Sequence, residues 1–111
     1  MIKNLEKLYN PTGSERVGFV LEDGSIIEVA NISSKPEESF MISTLDIMTF
    51  SEEATATWHT HPDAGCNLSG EDYLMIKNYP DLSHYILGND GIICYKYDTH
   101  LQAVMEVDIN G

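Results

Sequence analysis

Apolar residues recur along this chain in short runs whose period switches between that of a helix and that of a strand. In residues 2–9, "IKNLEKLY", Ile2, Leu5 and Leu8 fall at helical spacing, and Pro11 stops the pattern. "RVGFVL" (16–21) and "SIIEVA" (25–30) lie on either side of "EDG" and predict a hairpin with a glycine-containing turn. "NISSKPEE" (31–38) is polar and reads as a loop; "SFMI" (39–42) predicts a short strand. "STLDIMTF" (43–50) predicts a short helix capped by Ser43 or Thr44. "ATATWHTH" (54–61) is β-rich and leads into the loop "PDAGCNL". "GEDYLMIKNY" (70–79) is helical, capped by Ser69 and stopped by Pro80. "SHYILG" and "GIICYKYD" flank "ND", and "QAVMEVDI" closes the chain, so strands in hairpin succession are expected there. The fold class predicted is α+β, a small mixed β-sheet flanked by helices.

Length and charge narrow the picture. At 111 residues, 42% of them hydrophobic, the chain suits one domain with one core, spanning residues 1–111. No apolar run approaches the ~20 residues of a membrane helix, and "MIKNLEKLYNP" interrupts its apolar residues with charges, unlike a signal peptide. A cytoplasmic location is expected, with no membrane partner. Eighteen acids against six bases give a net charge of −12. Such a surface repels phosphate backbones and argues against nucleic acid. It keeps a protein soluble, and part of it could surround a bound cation. The two cysteines, Cys66 and Cys94, are too few for a disulfide framework.

Chemistry-bearing residues concentrate in "HTHPDAGCNLSGED". Residues two apart on a strand face the same side, so His59 and His61 project together at a spacing that suits one metal ion. Pro62 has no N–H to continue the pairing. Asp72, in the first turn of the next helix, could add a carboxylate. Two histidines and a carboxylate leave a fourth tetrahedral position for water, the pattern of catalytic zinc. A plainer account stands beside this one: His-x-His also occurs at ordinary strand ends. "SGED" is a capping box as well, in which Ser69 caps the helix and Asp72 reaches back. The two accounts are compatible, because a helix N-terminus favours negative charge. Cys66 has no Cys-x-x-Cys partner and reads as a free loop thiol rather than a soft ligand. His84 and His100 have no partners in sequence and read as structural or surface residues.

His-x-His-Pro, six residues, then Ser-x-x-Asp resembles the JAMM signature of the JAB/MPN metallopeptidases, which hydrolyse peptide or isopeptide bonds. Upstream, "SERVGFVLEDG" is similar to the family's Glu-x-Cys-Gly segment, with Glu15 in the acid position and Val17 where cysteine is frequent. Residues 18–43 look most like the JAB domains of tailed-phage tail-assembly peptidases, in which a papain-like cell-wall hydrolase domain often follows. No such domain lies in these residues, nor the insertions by which eukaryotic relatives grip ubiquitin, so a minimal catalytic core is expected. The resemblance implies a JAB/MPN-like (cytidine-deaminase-like) fold and one Zn²⁺ per chain held by His59, His61 and Asp72. It implies Glu15 as the general base, Ser69 as support for the oxyanion, and a protein or peptide substrate. Glu28, the rival acid in the first hairpin, has no matching motif and reads as a solvated strand residue.

Other readings remain in view. Amidohydrolase barrels also open on His-x-His but need ~200 residues or more. There is no His-Glu-x-x-His and no Pro-Cys-x-x-Cys for a zincin or a zinc deaminase. The substrate could instead be a ubiquitin-like or sulfur-carrier conjugate. A non-catalytic MPN-type interaction module is the alternative outside enzymology, although such members usually lose ligands that this sequence keeps.

Overall fold

A computed structural model describes residues 2–66 and 68–108. Ile109, at the end of the last expected strand, lies outside them. Among the described residues three helices, α1 (Ile2–Glu6), α2 (Thr44–Phe50) and α3 (Gly70–Asn78), accompany six strands. These are β1 (Val17–Leu21), β2 (Ile26–Val29), β3 (Ala54–Thr60), β4 (Ser83–Gly88), β5 (Gly91–Asp98) and β6 (Ala103–Val107). They form one mixed sheet in the order β2-β1-β3-β4-β5-β6, parallel between β3 and β4 and antiparallel elsewhere. A parallel pair needs a crossover, and here it runs through α3.

The central strands are covered on both faces, which is why residues 56–60 are buried without alternation. Leu5, Val20, Ala56, Trp58 and Leu87 form the core cluster on one face. Leu5 belongs to α1, so the short N-terminal helix is part of the core. Gly18, opposite Trp58, is required there: a Cβ would collide with the Ile27 carbonyl, which accepts the Trp58 indole N–H at 3.3 Å. Thr57 and His59 alternate with Trp58 and so point to the other face. On that side α3 buries Asp72 and Ile76, four apart on one helical face.

Two expected elements differ. The first helix ends at Glu6 rather than near Tyr9, because Leu8 N–H bonds the Leu5 carbonyl and Tyr9 N–H the Glu6 carbonyl, a tighter turn. Arg16 then takes the Leu8 carbonyl at 2.7 Å. Residues 39–42 are not a strand. Met41 N–H goes to the Asn31 side chain at 3.1 Å, Ser39 N–H turns back to the Lys35 carbonyl at 3.0 Å, and Ile32 N–H to the Met41 carbonyl joins the segment to the chain just past the end of β2. No ladder can grow past a donor already spent. Among the described residues no helix is long and apolar enough to cross a membrane.

Candidate metal centre

Strand pairing brings the distant acid to the histidines. β1 and β3 run antiparallel with Val17 opposite His59, and extending that register by two residues sets Glu15 beside His61. Two bonds at 2.9 Å continue the pairing beyond the strands: Thr60 N–H to the Arg16 carbonyl, and Arg16 N–H to the Thr60 hydroxyl. On the other side His61 N–H reaches the Leu87 carbonyl at 2.8 Å. The ligand-type atoms of Glu15, His59 and His61 all lie within 4.8 Å of one another, a group that could hold a metal ion.

Asp72 meets the same point from α3. Its two carboxylate oxygens lie 3.0 Å from the Nε2 atoms of His59 and His61, which are 3.1 Å apart. The helix start aims it. Ser69 Oγ accepts the Asp72 N–H at 3.1 Å while Asp72 Oδ2 accepts the Ser69 N–H at 3.1 Å, a closed capping box. The cap reading of Ser69 is therefore met in full. Its hydroxyl hydrogen remains available, because the cap uses only a lone pair, and Ser69 lines the cleft in front of the group.

The histidine environments differ. The Gly65 carbonyl, 2.9 Å from His61 Nδ1, can only accept, so Nδ1 carries a proton; Nε2 faces Asp72, donating to it when the ring is protonated and offering a lone pair to a metal when the ring is neutral. Such an outer bond is how metal-binding imidazoles are commonly oriented. Gly88 allows it: a Cβ there would collide with Cys66 N and the backbone of Gly65, pushing the loop away. His59 is 2% exposed, packs its ring on Phe40 with centroids 4.5 Å apart, and has no partner for Nδ1 among the described residues.

Electrostatics separate the two acids. Burial raises the Glu15 pKa from 4.5 to about 7; His61 opposes this, and the charges of Asp72 and Glu71 add to it. Burial also acts to raise Asp72, but hydrogen bonds and charge from the two histidines outweigh it and hold that carboxyl well below the usual range. Burial lowers His59, more than Asp72 can restore. For His61 burial likewise acts downward, yet the bonds to Asp72 and Gly65 with the nearby acids outweigh it and raise its pKa. One buried acid is thus a fixed anion and the other titrates near neutrality.

The structure gathers Glu15, His59, His61, Ser69 and Asp72. It keeps Glu28 away, as an exposed strand residue in line with the expectation, and adds a two-pronged pair with Arg16, at 2.6 and 2.9 Å on the surface. Cys66 and Cys94 are both free and buried, and burial together with Asp90 pushes the Cys66 thiol up to about 11, which disfavours a thiolate ligand. His84 is structural as expected, and fully buried: Nδ1 meets the Thr57 hydroxyl at 2.7 Å and Nε2 the Tyr79 carbonyl at 3.0 Å.

Three supporting residues escaped the sequence. Tyr9 touches the His61 carbonyl and the Asp63 N–H through its hydroxyl, Phe40 covers His59, and Asn31 binds the Glu15 carbonyl. Only Asn31, a turn-forming residue after a strand, gave any local signal.

Among known proteins, no family model and no curated sequence matches this chain. A solution structure of protein DSY2949 from Desulfitobacterium hafniense is similar in fold, with a TM-score of 0.64 at 18% identity. The match covers 97% of this chain and 83% of that one.

Proposed function

We propose that this chain is a zinc-dependent metallopeptidase of the JAB/MPN type, hydrolysing a peptide or isopeptide bond. The observation that carries the reading is the Asp72 carboxylate held 3.0 Å from both His59 and His61 Nε2, with Glu15 beside them. The donor set fits the ion. The two Nε2 atoms are 3.1 Å apart and each lies 3.0 Å from one of the two Asp72 oxygens, near the ~3.3–3.4 Å that separates ligands ~2.0–2.1 Å from a tetrahedral zinc. A zinc ion held by His59, His61 and Asp72 would bring a bound water toward a pKa of ~7 and polarise the substrate carbonyl.

The chain's own groups do the rest. Glu15, with its pKa of about 7, takes a proton from the attacking water and returns it to the leaving amine nitrogen. Asp72 stays anionic through the cycle. Ser69 donates its free hydroxyl hydrogen to the developing oxyanion while its lone pair keeps the cap. Phe40 and the surrounding walls keep bulk water from the His59 side. Separation of the two acids by protonation state supports a catalytic role over a purely structural ion site.

A context in phage tail assembly or cell-wall processing rests on the sequence resemblance alone. Metal analysis of purified protein, followed by mass spectrometry of products from native lysate treated with wild type and with His59→Ala, tests the reading. A lack of stoichiometric zinc, or identical products from both proteins, would sink it.

A further inference from the structure

The carbonyl that orients His61 belongs to a turn that doubles back after β3. Pro62 and Asp63 stand at its tip, which is closed by the Ala64 N–H on the His61 carbonyl at 3.2 Å. Asp63 has a φ of +51°, a left-handed conformation that aspartate tolerates better than most residues. The Tyr9 hydroxyl accepts the Asp63 N–H at 3.2 Å and steadies this end. The chain then returns to the ring, with the Gly65 carbonyl 2.9 Å from His61 Nδ1.

Gly65 is tied on both sides by the β4–β5 hairpin, in which Asn89 and Asp90 link the paired Gly88 and Gly91. Before it, the Ala64 carbonyl accepts the Asn89 N–H at 2.8 Å; after it, the Cys66 N–H donates to Asp90 Oδ1 at 2.8 Å. The other Asp90 oxygen lies so near that a Cβ on Gly65 would come within 3.1 Å of it. The first tie joins backbone to backbone and outlasts a change of side chain. The second depends on one carboxylate. Cys66 is 3% exposed, so its amide has little access to water as a substitute acceptor.

An aspartate at a hairpin tip ordinarily serves only the turn. This one reaches a segment 24 residues away in the chain. We propose that Asp90 is a positioning residue for the metal centre: through the Cys66 N–H it holds the Gly65 carbonyl on His61 Nδ1, and so keeps His61 Nε2 aimed at the ion. The inference rests on the metal reading of His59, His61 and Asp72 above. Asp90 does not line the cleft and acts through the loop, one step beyond the bond that orients the imidazole.

Three variants of the full chain test this. Asp90→Ala removes the acceptor, whereas Asp90→Asn keeps an acceptor oxygen and removes the charge. Asp98→Ala is the control, deleting bonds of the same kind to the His100 and Leu101 N–H groups, at 2.9 and 3.0 Å, between β5 and β6. The first readout needs no metal. At about pH 5.5, below the ordinary histidine pKa of ~6.5, the His61 ring carries both protons, and ¹H–¹⁵N spectra of zinc-free protein follow exchange of its Nδ1–H with water. Exchange is expected to be about tenfold faster in Asp90→Ala, the scale of one net hydrogen bond, and near wild type in the other two. The second readout is competition for zinc with a chromophoric chelator. Asp90→Ala should bind about tenfold more weakly, the low end for outer partners of a metal ligand, with affinity kept in Asp90→Asn and Asp98→Ala. If melting curves show Asp90→Ala unfolded, Asp90→Ser, too short to reach the Cys66 N–H, takes its place.

Wild-type exchange in Asp90→Ala would overturn the inference, and so would an Asp90→Asn as impaired as alanine or an equal effect in Asp98→Ala. The two readouts also separate it from the parent reading. Faster exchange in Asp90→Ala with no zinc bound by the wild type sinks the metal centre and leaves Asp90 as the holder of His61. Zinc bound equally by wild type and Asp90→Ala, with exchange unchanged, sinks Asp90 and leaves the metal centre.

Discussion

Asn31 donates its side-chain amide to the Glu15 carbonyl at 2.9 Å, and so joins the loop after β2 to the residue that faces the histidines. Its amide oxygen accepts the N–H groups of Ser33 and Met41, and its nitrogen also serves the Ser39 carbonyl. One side chain thus satisfies several backbone groups of a segment with almost no ladder of its own. Asn31→Ala should cost ~1–3 kcal/mol, the penalty for leaving such groups unpaired. Asn31→Asp keeps the acceptor and loses the donor, so it should disturb Glu15 more than the Ser33 turn. Urea denaturation with turnover measured in parallel checks this; wild-type stability in Asn31→Ala would remove the clamp.

Glu15→Gln should leave zinc content and melting temperature near wild type while turnover falls by about 10²–10⁴, the usual share of a general base. Glutamine keeps the size of the side chain and accepts no proton. Glu28→Gln should cost little turnover, because its partner is Arg16 on the surface, a pair worth at most ~1 kcal/mol. An inactive, zinc-replete Glu28→Gln beside an active Glu15→Gln would reverse the assignment of the two acids.

His84 sets part of the stability's pH dependence. Burial lowers its pKa from 6.5 to about 4; the Tyr79 carbonyl opposes this and His59 adds to it. Above pH 6.5 neither the folded nor the unfolded chain protonates it, and it contributes no slope. Between pH 6.5 and about 4 the unfolded chain binds a proton that the folded chain refuses, so stability falls as pH falls. Across that window the loss approaches ~3 kcal/mol, because each pH unit contributes ~1.4 kcal/mol. Glu15, whose pKa is raised, titrates with the opposite sign in the same window. The difference between wild type and His84→Gln in urea midpoints from pH 7 to 5 isolates His84, and parallel profiles would refute the assignment.

Local signals made half of the site legible. His59 and His61 share a face because strands have period two, and Ser69 with Asp72 is legible because a capping box closes within four residues. Glu15 is different: its place beside His61 is a consequence of β1–β3 register, visible in sequence only through a family resemblance. The Arg16–Glu28 pair, the Tyr9 hydroxyl on the His61 carbonyl and the His84–Tyr79 bond all join segments that periodicity treats separately. The short strand expected at residues 39–42 fails for the same reason. Its apolar pattern was adequate, but a side chain from Asn31 took the N–H that a ladder needed.

Metal affinity should fall as pH falls, beginning above pH 6.5. His61 binds its proton more tightly than an ordinary histidine, burial acting against this and Asp72, Gly65 and Glu15 outweighing it. Zinc must displace the proton on Nε2, because Nδ1–H stays on the Gly65 carbonyl. The apparent affinity then drops about tenfold per pH unit for each proton displaced. Competition with a chromophoric chelator from pH 8 to 5.5 reads the slope. His61→Ala and His59→Ala should each release zinc at every pH, and undiminished zinc in both would move the site elsewhere.

Ser69 carries two assignments that one substitution separates. As a cap it accepts the Asp72 N–H, and Asp72 answers through the Ser69 N–H, which any residue at this position retains. Glycine is nearly as good a cap as serine, costing a few tenths of a kcal/mol, and brings no charge beside Asp72 as aspartate would. Ser69→Gly therefore removes the hydroxyl and little else. If that hydroxyl donates to the oxyanion, turnover should fall by ~10²–10³ with the melting temperature almost unmoved and zinc retained. The loss should appear in kcat more than in KM, because the bond strengthens only as charge develops on the oxygen. Wild-type kcat in Ser69→Gly would leave Ser69 as a cap alone, and Asp72 as the sole contribution of the α3 start to the chemistry.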